Sequence, residues 1–196
     1  MARLWILICL SMGISSCGQT GERNSHSDWQ KGIEEMRKAK DNAFAFGPES
    51  PIEDSEHFHG LKYYTPDENY RVEAILRTEN AEKVRQIPDT KGGVRNMGKA
   101  GILQFELQGR LCKLPAFVAE EDSLHFFIMF RDATNGNETY SGGRFIEAER
   151  FEKTGMIDFN MAYNPYCHYN HDFSCPVVPD DCKLNIPVKA GEKIFR

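Results

Sequence analysis

Apolar residues change their spacing twice along the chain, and each change predicts an element. Leu4 to Ile14 (LWILICLSMGI) is an apolar run, too short to cross a bilayer as a mature helix. Between Asp28 and Ala43, Trp29, Ile33, Met36 and Ala43 recur at helical spacing, with Glu34 four residues before Lys38. That pattern predicts an amphipathic helix, with Trp29 docking it onto the domain. Ser27-Asp28-Trp29-Gln30 has the S-x-x-Q form of a capping box, and Pro48 and Pro51 stop the helix.

From Leu61 the period becomes two. Tyr70, Val72, Ala74 and Leu76 alternate with Arg71, Glu73 and Arg77, as on a half-buried strand. Asp89-Thr90-Lys91-Gly92-Gly93 predicts a turn, after which Leu103, Phe105 and Leu107 alternate again. Gly109 separates that strand from Leu111 to Val118, and Glu120-Glu121-Asp122-Ser123 predicts the next turn. Leu124 to Phe130 (LHFFIMF) is continuously apolar, which predicts a strand buried on both faces, with His125 as a core histidine. Asn135-Gly136 is a hairpin signal leading into Gly143 to Glu147. The expected fold class is α+β, mainly β: an antiparallel sandwich or partly open barrel with one N-terminal helix packed on it.

Composition narrows the class. At 196 residues, 40% hydrophobic and 27% charged, the chain suits a single globular domain. The net charge of −5, with scattered Lys and Arg, argues against a nucleic-acid partner. The N-terminus is more specific. Arg3, the apolar run and then Ile14-Ser15-Ser16-Cys17 follow the order of a bacterial lipoprotein signal. Residues 1–16 are thus expected to be removed and Cys17 lipidated, anchoring the protein in the bacterial cell envelope with the membrane as its partner. Each buried acyl methylene contributes about 0.8 kcal/mol to such an anchor. Residues 17–27, polar and Gly/Ser-rich, are expected to be a flexible tether, and 28–196 the globular domain.

Two segments carry more polar chemistry than folding alone requires. In Phe130 to Arg144 (FRDATNGNETYSGGR), Asp132 and Thr134 suit an Asx-type turn. Arg144 suits a carboxylate partner, Asp132 or Asp158, or an anionic ligand. In the stretch that begins DFNMAYNPYC, Asp158 and Asn160 share a predicted strand face and Tyr163 and Asn164 follow at its end. A pocket there would be lined by Arg144, Thr134, Asn160, Tyr163, Asn164 and Cys167. Asp158 or Asp132 could serve as general acid/base with Tyr140 assisting, or be held ionised by Arg144 with no catalytic part. The frequent catalytic and nucleotide-binding fingerprints are absent.

Without Cys9 and Cys17, four cysteines remain: Cys112, Cys167, Cys175 and Cys182. In an exported domain they suit disulfides, with three pairings open; closing Cys167 onto Cys175 would contribute about 2.5 kcal/mol. A zinc set of Cys167, His171, Cys175 and Cys182 is the weaker alternative, because its spacing is not that of paired knuckles. A third reading makes Cys167 a nucleophile with a distant His59 or His125 as base.

These residues carry a resemblance. Ser50-Pro51-Ile52, FHGLKYY (58–64), Tyr70-Arg71-Val72, FRDATNGNETYSGGRF (130–145), DFNMAYNPYCHYNHDFSCPVVP (158–179) and Ala190-Gly191-Glu192-Lys193 resemble the bacterial and archaeal family catalogued as domain of unknown function 1684. The likeness spans essentially Asp28 to Arg196. It implies no reaction and no cofactor. It does imply the pairs Cys167–Cys175 and Cys112–Cys182, because the first two cysteines match the family pattern and the other two are particular to this chain. Relatives without an export signal keep a thiol or metal role open. The leading expectation is a lipid-anchored protein binding a small polar or anionic ligand, with Arg144 as the electrostatic anchor. A hydrolase-like enzyme and a structural or interaction lipoprotein are the alternatives.

Overall fold

The structure is a computed structural model that describes residues 19–119 and 122–195, with side chains described from Asp28 onward. The expected lipoprotein signal and Cys17 lie outside the described residues. Helix α1 spans Gln19–Phe46, reaching further toward the N-terminus than its apolar pattern predicts. The expected tether is helical backbone from Gln19 on, and Ser27 is an interior residue of the helix rather than its cap. No proline interrupts 19–46, so a helix once nucleated can propagate through this polar stretch. No helix among the described residues is long and apolar enough to cross a membrane.

Seven strands follow: β1 Arg71–Arg77, β2 Glu82–Pro88, β3 Val94–Leu107, β4 Arg110–Val118, β5 His125–Phe130, β6 Arg144–Glu149 and β7 Thr154–Asp158. They form one antiparallel sheet in the order β6-β5-β4-β3-β1-β7, with β2 added to β3. The end strands β6 and β7 come back against one another, and the sheet curls into a nearly closed, barrel-like form. The mainly β, antiparallel expectation therefore holds. Strand β2 is the element the apolar pattern missed; only Ile87 is buried on it, and it ends in Pro88, as suits an edge strand.

The long β3 organises the sheet. Its inward face is Met97, Lys99, Gly101, Leu103, Phe105 and Leu107, buried at every second position. Its first half pairs with β2 and its second with β1, and the switch occurs at a bulge between Lys99 and Gly101. Gly101 has φ +154°, and a Cβ there would lie 2.2 Å from the Arg77 carbonyl oxygen. Only glycine lets β1 approach at that corner. Phe117, Phe126, Phe130 and Phe159 are fully buried in the core, each contributing about 3 kcal/mol by leaving water. Strand β5 is less enclosed than its apolar run suggests: Leu124, His125 and Phe127 keep exposure.

Candidate functional site

The FRDATNGNETYSGGR segment closes around its own arginine. Arg144 is fully buried, its guanidinium 5.1 Å from the Phe130 ring centroid. Nη2 donates to Asp132 Oδ2 and to the Val188 carbonyl, both at 2.8 Å, and Nη1 donates to the carbonyls of Ala190 and Glu192. Asp132 Oδ1 accepts from the Thr134 amide at 2.8 Å, the Thr134 hydroxyl at 2.6 Å and the Val188 amide at 3.2 Å. Asn135 braces the turn, accepting the Asp132 amide and donating to Thr139 Oγ1 and the Tyr140 carbonyl. Arg144 and Asp132 thus satisfy one another and clamp the C-terminal segment 188–192. Arg144, expected as the ligand anchor, has both terminal nitrogens engaged within the protein, and neither it nor Asp132 nor Thr134 lines the cleft described below.

Asp158 lies elsewhere. Its Oδ2 accepts from the Trp29 indole at 2.8 Å, while Oδ1 accepts the Asn160 amide and side chain. Asn160 also brackets the backbone of Asp67, accepting its N–H and donating to its carbonyl, each at 2.9 Å. The strand ends at Asp158, so Asn160 falls in a short 3-10 turn (Phe159–Met161) rather than on a shared strand face. Asp158 is a turn cap that also receives α1. The arginine and the acid-and-amide cluster do not meet: each has its own partners.

A different cavity is present, a cleft of about 710 Å³, within the usual range for small-molecule sites. Helix α1 contributes Met36, Arg37, Lys40 and Phe44; β5 and β6 contribute Phe127, Phe145 and Glu147. Asn160, Tyr163 and Tyr166 come from the second polar segment, and Phe173 and Cys175 follow it. Of the expected ligand-binding residues, Asn160 and Tyr163 line this cleft; Arg144, Thr134, Asn164 and Cys167 do not. Tyr163 Oη donates to Glu147 Oε1 at 2.8 Å, and burial, then Glu147, push its hydroxyl pKa far above the ordinary value. His125 also lines the cleft, its Nδ1 2.8 Å from Asp122 Oδ2. It is a half-exposed rim residue, not a core histidine.

Two cationic groups of the cleft, Arg37 and Lys40, come from α1, and Arg95 of β3 is a third. Lys40 Nζ donates to Glu192 Oε2 at 2.8 Å and sits 5.1 Å from the Phe44 ring and 4.9 Å from the Tyr163 ring. Glu192, buried beneath it, also accepts from the Asn164 amide at 3.2 Å and from the Tyr169 hydroxyl. Burial raises the Glu192 pKa above its ordinary value, against the pull of Lys40 and Asn164. Gly191, at φ +73°, makes this position reachable: a Cβ there would meet the Ala162 carbonyl oxygen at 2.5 Å. The clamp of Arg144 on carbonyls 188, 190 and 192 therefore fixes the backbone from which Glu192 projects. Arg37 lies 4.5 Å over the Tyr63 ring and donates to the carbonyls of Tyr64 at 2.9 Å and Asn160 at 3.4 Å. Among the described residues it has no carboxylate within ion-pair distance, and burial lowers its pKa.

Lys40, Arg37 and Glu192 were not read as site residues from sequence. A signal was available: Ile33, Arg37, Lys40 and Phe44 share one helical stripe at spacings of four, three and four. Two cations on an apolar stripe mark a face turned toward something other than lipid-like core.

Among the described residues the cysteines are free and buried: Cys112, Cys167, Cys175 and Cys182. Neither expected bridge is formed. The Cys112 thiol neighbours Leu107 and Arg110, whereas Cys182 neighbours Asp181, Arg85 and Arg131. Cys167 and Cys175 do meet, the Cys167 amide donating to Cys175 Sγ at 3.2 Å. The zinc set does not assemble: His171 is exposed while the three cysteines are buried. Among the described residues no three His, Cys, Asp or Glu side chains converge as metal ligands would. Tyr140 packs its ring on His168 at 4.4 Å and is hydrogen-bonded to Cys167, away from both Asp132 and Asp158 as a partner.

Among solved structures, the chain is similar to the solution structure of an uncharacterized protein from gene locus rrnAC0354 of Haloarcula marismortui. The two share 35% identity and superpose with a TM-score of 0.67, over 87% of this chain and 96% of that one. No curated protein matches. The family model described as "Protein of unknown function (DUF1684)" matches residues 56–193, a span that takes in β1 to β7, the Arg144 clamp and Glu192, and the chain belongs to that family.

Proposed function

We propose that the protein binds a small amphipathic anion, a carboxylate or phosphate on an apolar or aromatic body, in the cleft between α1 and the β5–β6 end of the sheet. The observation that carries this reading is Lys40. Its ammonium has three donors, of which the protein takes one, for Glu192. The remaining donors lie between two aromatic rings at the wall of an aromatic-lined cleft. Arg37 adds a positive charge held by carbonyls alone. Phe127, Phe145 and Tyr166 supply apolar surface for the ligand's body, and burying it contributes roughly 25 cal/mol per Å². The N-terminal signal supports export and a lipid anchor at Cys17, which would hold the cleft at the envelope surface.

The test uses 8-anilinonaphthalene-1-sulfonate, an aromatic anion, titrated by fluorescence against the full chain. A charge-assisted hydrogen bond contributes about 1.5–3 kcal/mol, so Lys40→Met is expected to weaken binding by roughly 10- to 100-fold. The neutral parent amine, N-phenyl-1-naphthylamine, should lose much less. Equal losses for the anion and the neutral compound, or none for either, would overturn the reading.

A further inference from the structure

We propose that Cys175 and Cys167 form a redox-active dithiol opening onto the cleft, with Cys175 as the attacking sulfur, Cys167 as the resolving one, and a small-molecule disulfide as the oxidant. The placement is asymmetric. Cys175 lines the cleft and Cys167 does not, so a molecule entering the cleft meets Cys175 first. The Cys175 sulfur accepts two hydrogen bonds from the other cysteine, one from its amide at 3.2 Å and one from its thiol. Arg95, which also lines the cleft, carries its positive charge nearby. Together these donors favour the thiolate form of Cys175. Its pKa is pulled below the ordinary thiol value, first by the Cys167 thiol, then by the Cys167 amide and Arg95, against burial and the charge of Asp89. The same contact, with burial, pushes Cys167 well up. Cys112 and Cys182 are both raised, first by burial, which outweighs the Leu107 amide and Arg110 at the one and Arg85 and Arg131 at the other.

The second half of the chemistry is also provided for. The hydroxyls of Tyr140 and Thr90 both hydrogen-bond to the Cys167 sulfur and lower its pKa. Thr90 is itself fixed by the Cys175 amide, which donates to its Oγ1 at 3.1 Å, and by its own amide on the Cys175 carbonyl at 2.9 Å. While Cys175 is a thiolate, it holds the Cys167 proton. In the first exchange the Cys175 thiolate attacks one sulfur of the small disulfide; that S–S bond breaks, a mixed disulfide forms, and one small thiolate leaves. Cys175 can then no longer hold the proton as a charged acceptor. Cys167 passes it to the departing thiolate and, with Tyr140 and Thr90 donating to its sulfur, becomes a thiolate itself. In the second exchange Cys167 attacks Cys175, closing the intramolecular disulfide and releasing the second small thiolate, which takes its proton from water. Two electrons pass from the pair to the small disulfide, which leaves as two thiols. The inference is independent of the anion reading: it requires access along the cleft, not Lys40.

The experiment takes the reduced full chain, adds oxidised glutathione, quenches with acid and maps the cysteines by peptide mass spectrometry. The wild type is expected to gain a Cys167–Cys175 link and to retain no glutathione at either residue. Cys167→Ser keeps a donor to the thiolate and removes the resolving sulfur, so glutathione should be trapped on Cys175, at least ~10-fold faster than on Cys112 or Cys182. Cys175→Ser should leave Cys167 unmodified. Glutathione on Cys112 or Cys182 in preference to Cys175, or a wild type that forms no link in excess oxidant, would overturn the proposal. So would a link already present in the folded protein that dithiothreitol cannot open, because that bridge would be structural.

Discussion

Replacing Arg144 by alanine should loosen the C-terminal clamp and cost stability first, reaching the cleft only through Glu192, whose backbone the clamp holds. The magnitude follows from the partners. Asp132 Oδ2 accepts from Arg144, and the carbonyls of Val188, Ala190 and Glu192 all receive guanidinium hydrogens. Four buried acceptors would lose a donor, at about 1–3 kcal/mol each. Water entering the vacated volume can answer some of them, so the expected net loss is about 3–5 kcal/mol, the range for breaking a buried ion pair from one side. With a urea m-value of about 2 kcal/mol/M, the unfolding midpoint should fall by roughly 2 M. Arg144→Lys should lose less but not recover fully, because one ammonium cannot span the four acceptors that the planar fork reaches. Adding Asp132→Asn to Arg144→Ala should restore part of the stability, since the uncompensated buried charge is gone; the coupling expected for groups in contact is about 0.5–3 kcal/mol. The assay is urea unfolding followed by tryptophan fluorescence, with 8-anilinonaphthalene-1-sulfonate affinity measured on the folded fraction. A loss below about 1 kcal/mol, or an unchanged midpoint with weakened anion binding, would refute the structural assignment and return Arg144 to the site.

Two further outcomes are expected. Glu192 has its pKa raised by burial, so its contribution to stability is fully present below the unfolded value of 4.5 and is lost as pH rises through the higher folded value. Melting temperatures measured from pH 4 upward should therefore fall for the wild type relative to Glu192→Gln; parallel curves would show that the carboxyl is not strained by burial. Cys17→Ser should move the protein from the membrane pellet to the soluble fraction of a bacterial host, and unchanged fractionation would exclude a lipid anchor at that residue.

The sheet was readable in the sequence because its inward face is continuous. Leu103, Phe105 and Leu107 alternate without interruption, and the turns at 89–93 and 109 carry glycines where the chain reverses. Strand β2 was not readable, since an edge strand with one buried residue leaves no period to detect. The N-terminal extension of α1 was hidden for the opposite reason: residues 19–27 are polar, and helix continuity there follows from the helix beyond them rather than from an apolar stripe. In the site, the sequence led to Asn160 and Tyr163, which do line the cleft, and to the contact between Cys167 and Cys175. It missed Lys40 and Glu192, which are separated by 152 positions and meet only through the closing of the fold.

The misdirection at Arg144 has a physical origin that reaches beyond this chain. A buried guanidinium needs carboxylate and carbonyl acceptors on several sides, and each acceptor brings further donors of its own. Asp132, Thr134, Asn135 and Thr139 supply that second layer, so the segment acquires the small polar residues, turns and glycines that a binding site also uses. Composition alone does not separate the two cases; the balance of donors and acceptors does. Arg144 commits both terminal nitrogens to four bonds within the protein. Lys40 commits one bond out of three and faces a cavity. Charge held closed by its own fold stabilises that fold, whereas charge left partly open between aromatic walls is where a ligand has something to gain. By that criterion the motif richest in polar residues holds the C-terminus in place, and the binding chemistry passes to Arg37 and Lys40, two cations on a helix outside both polar motifs.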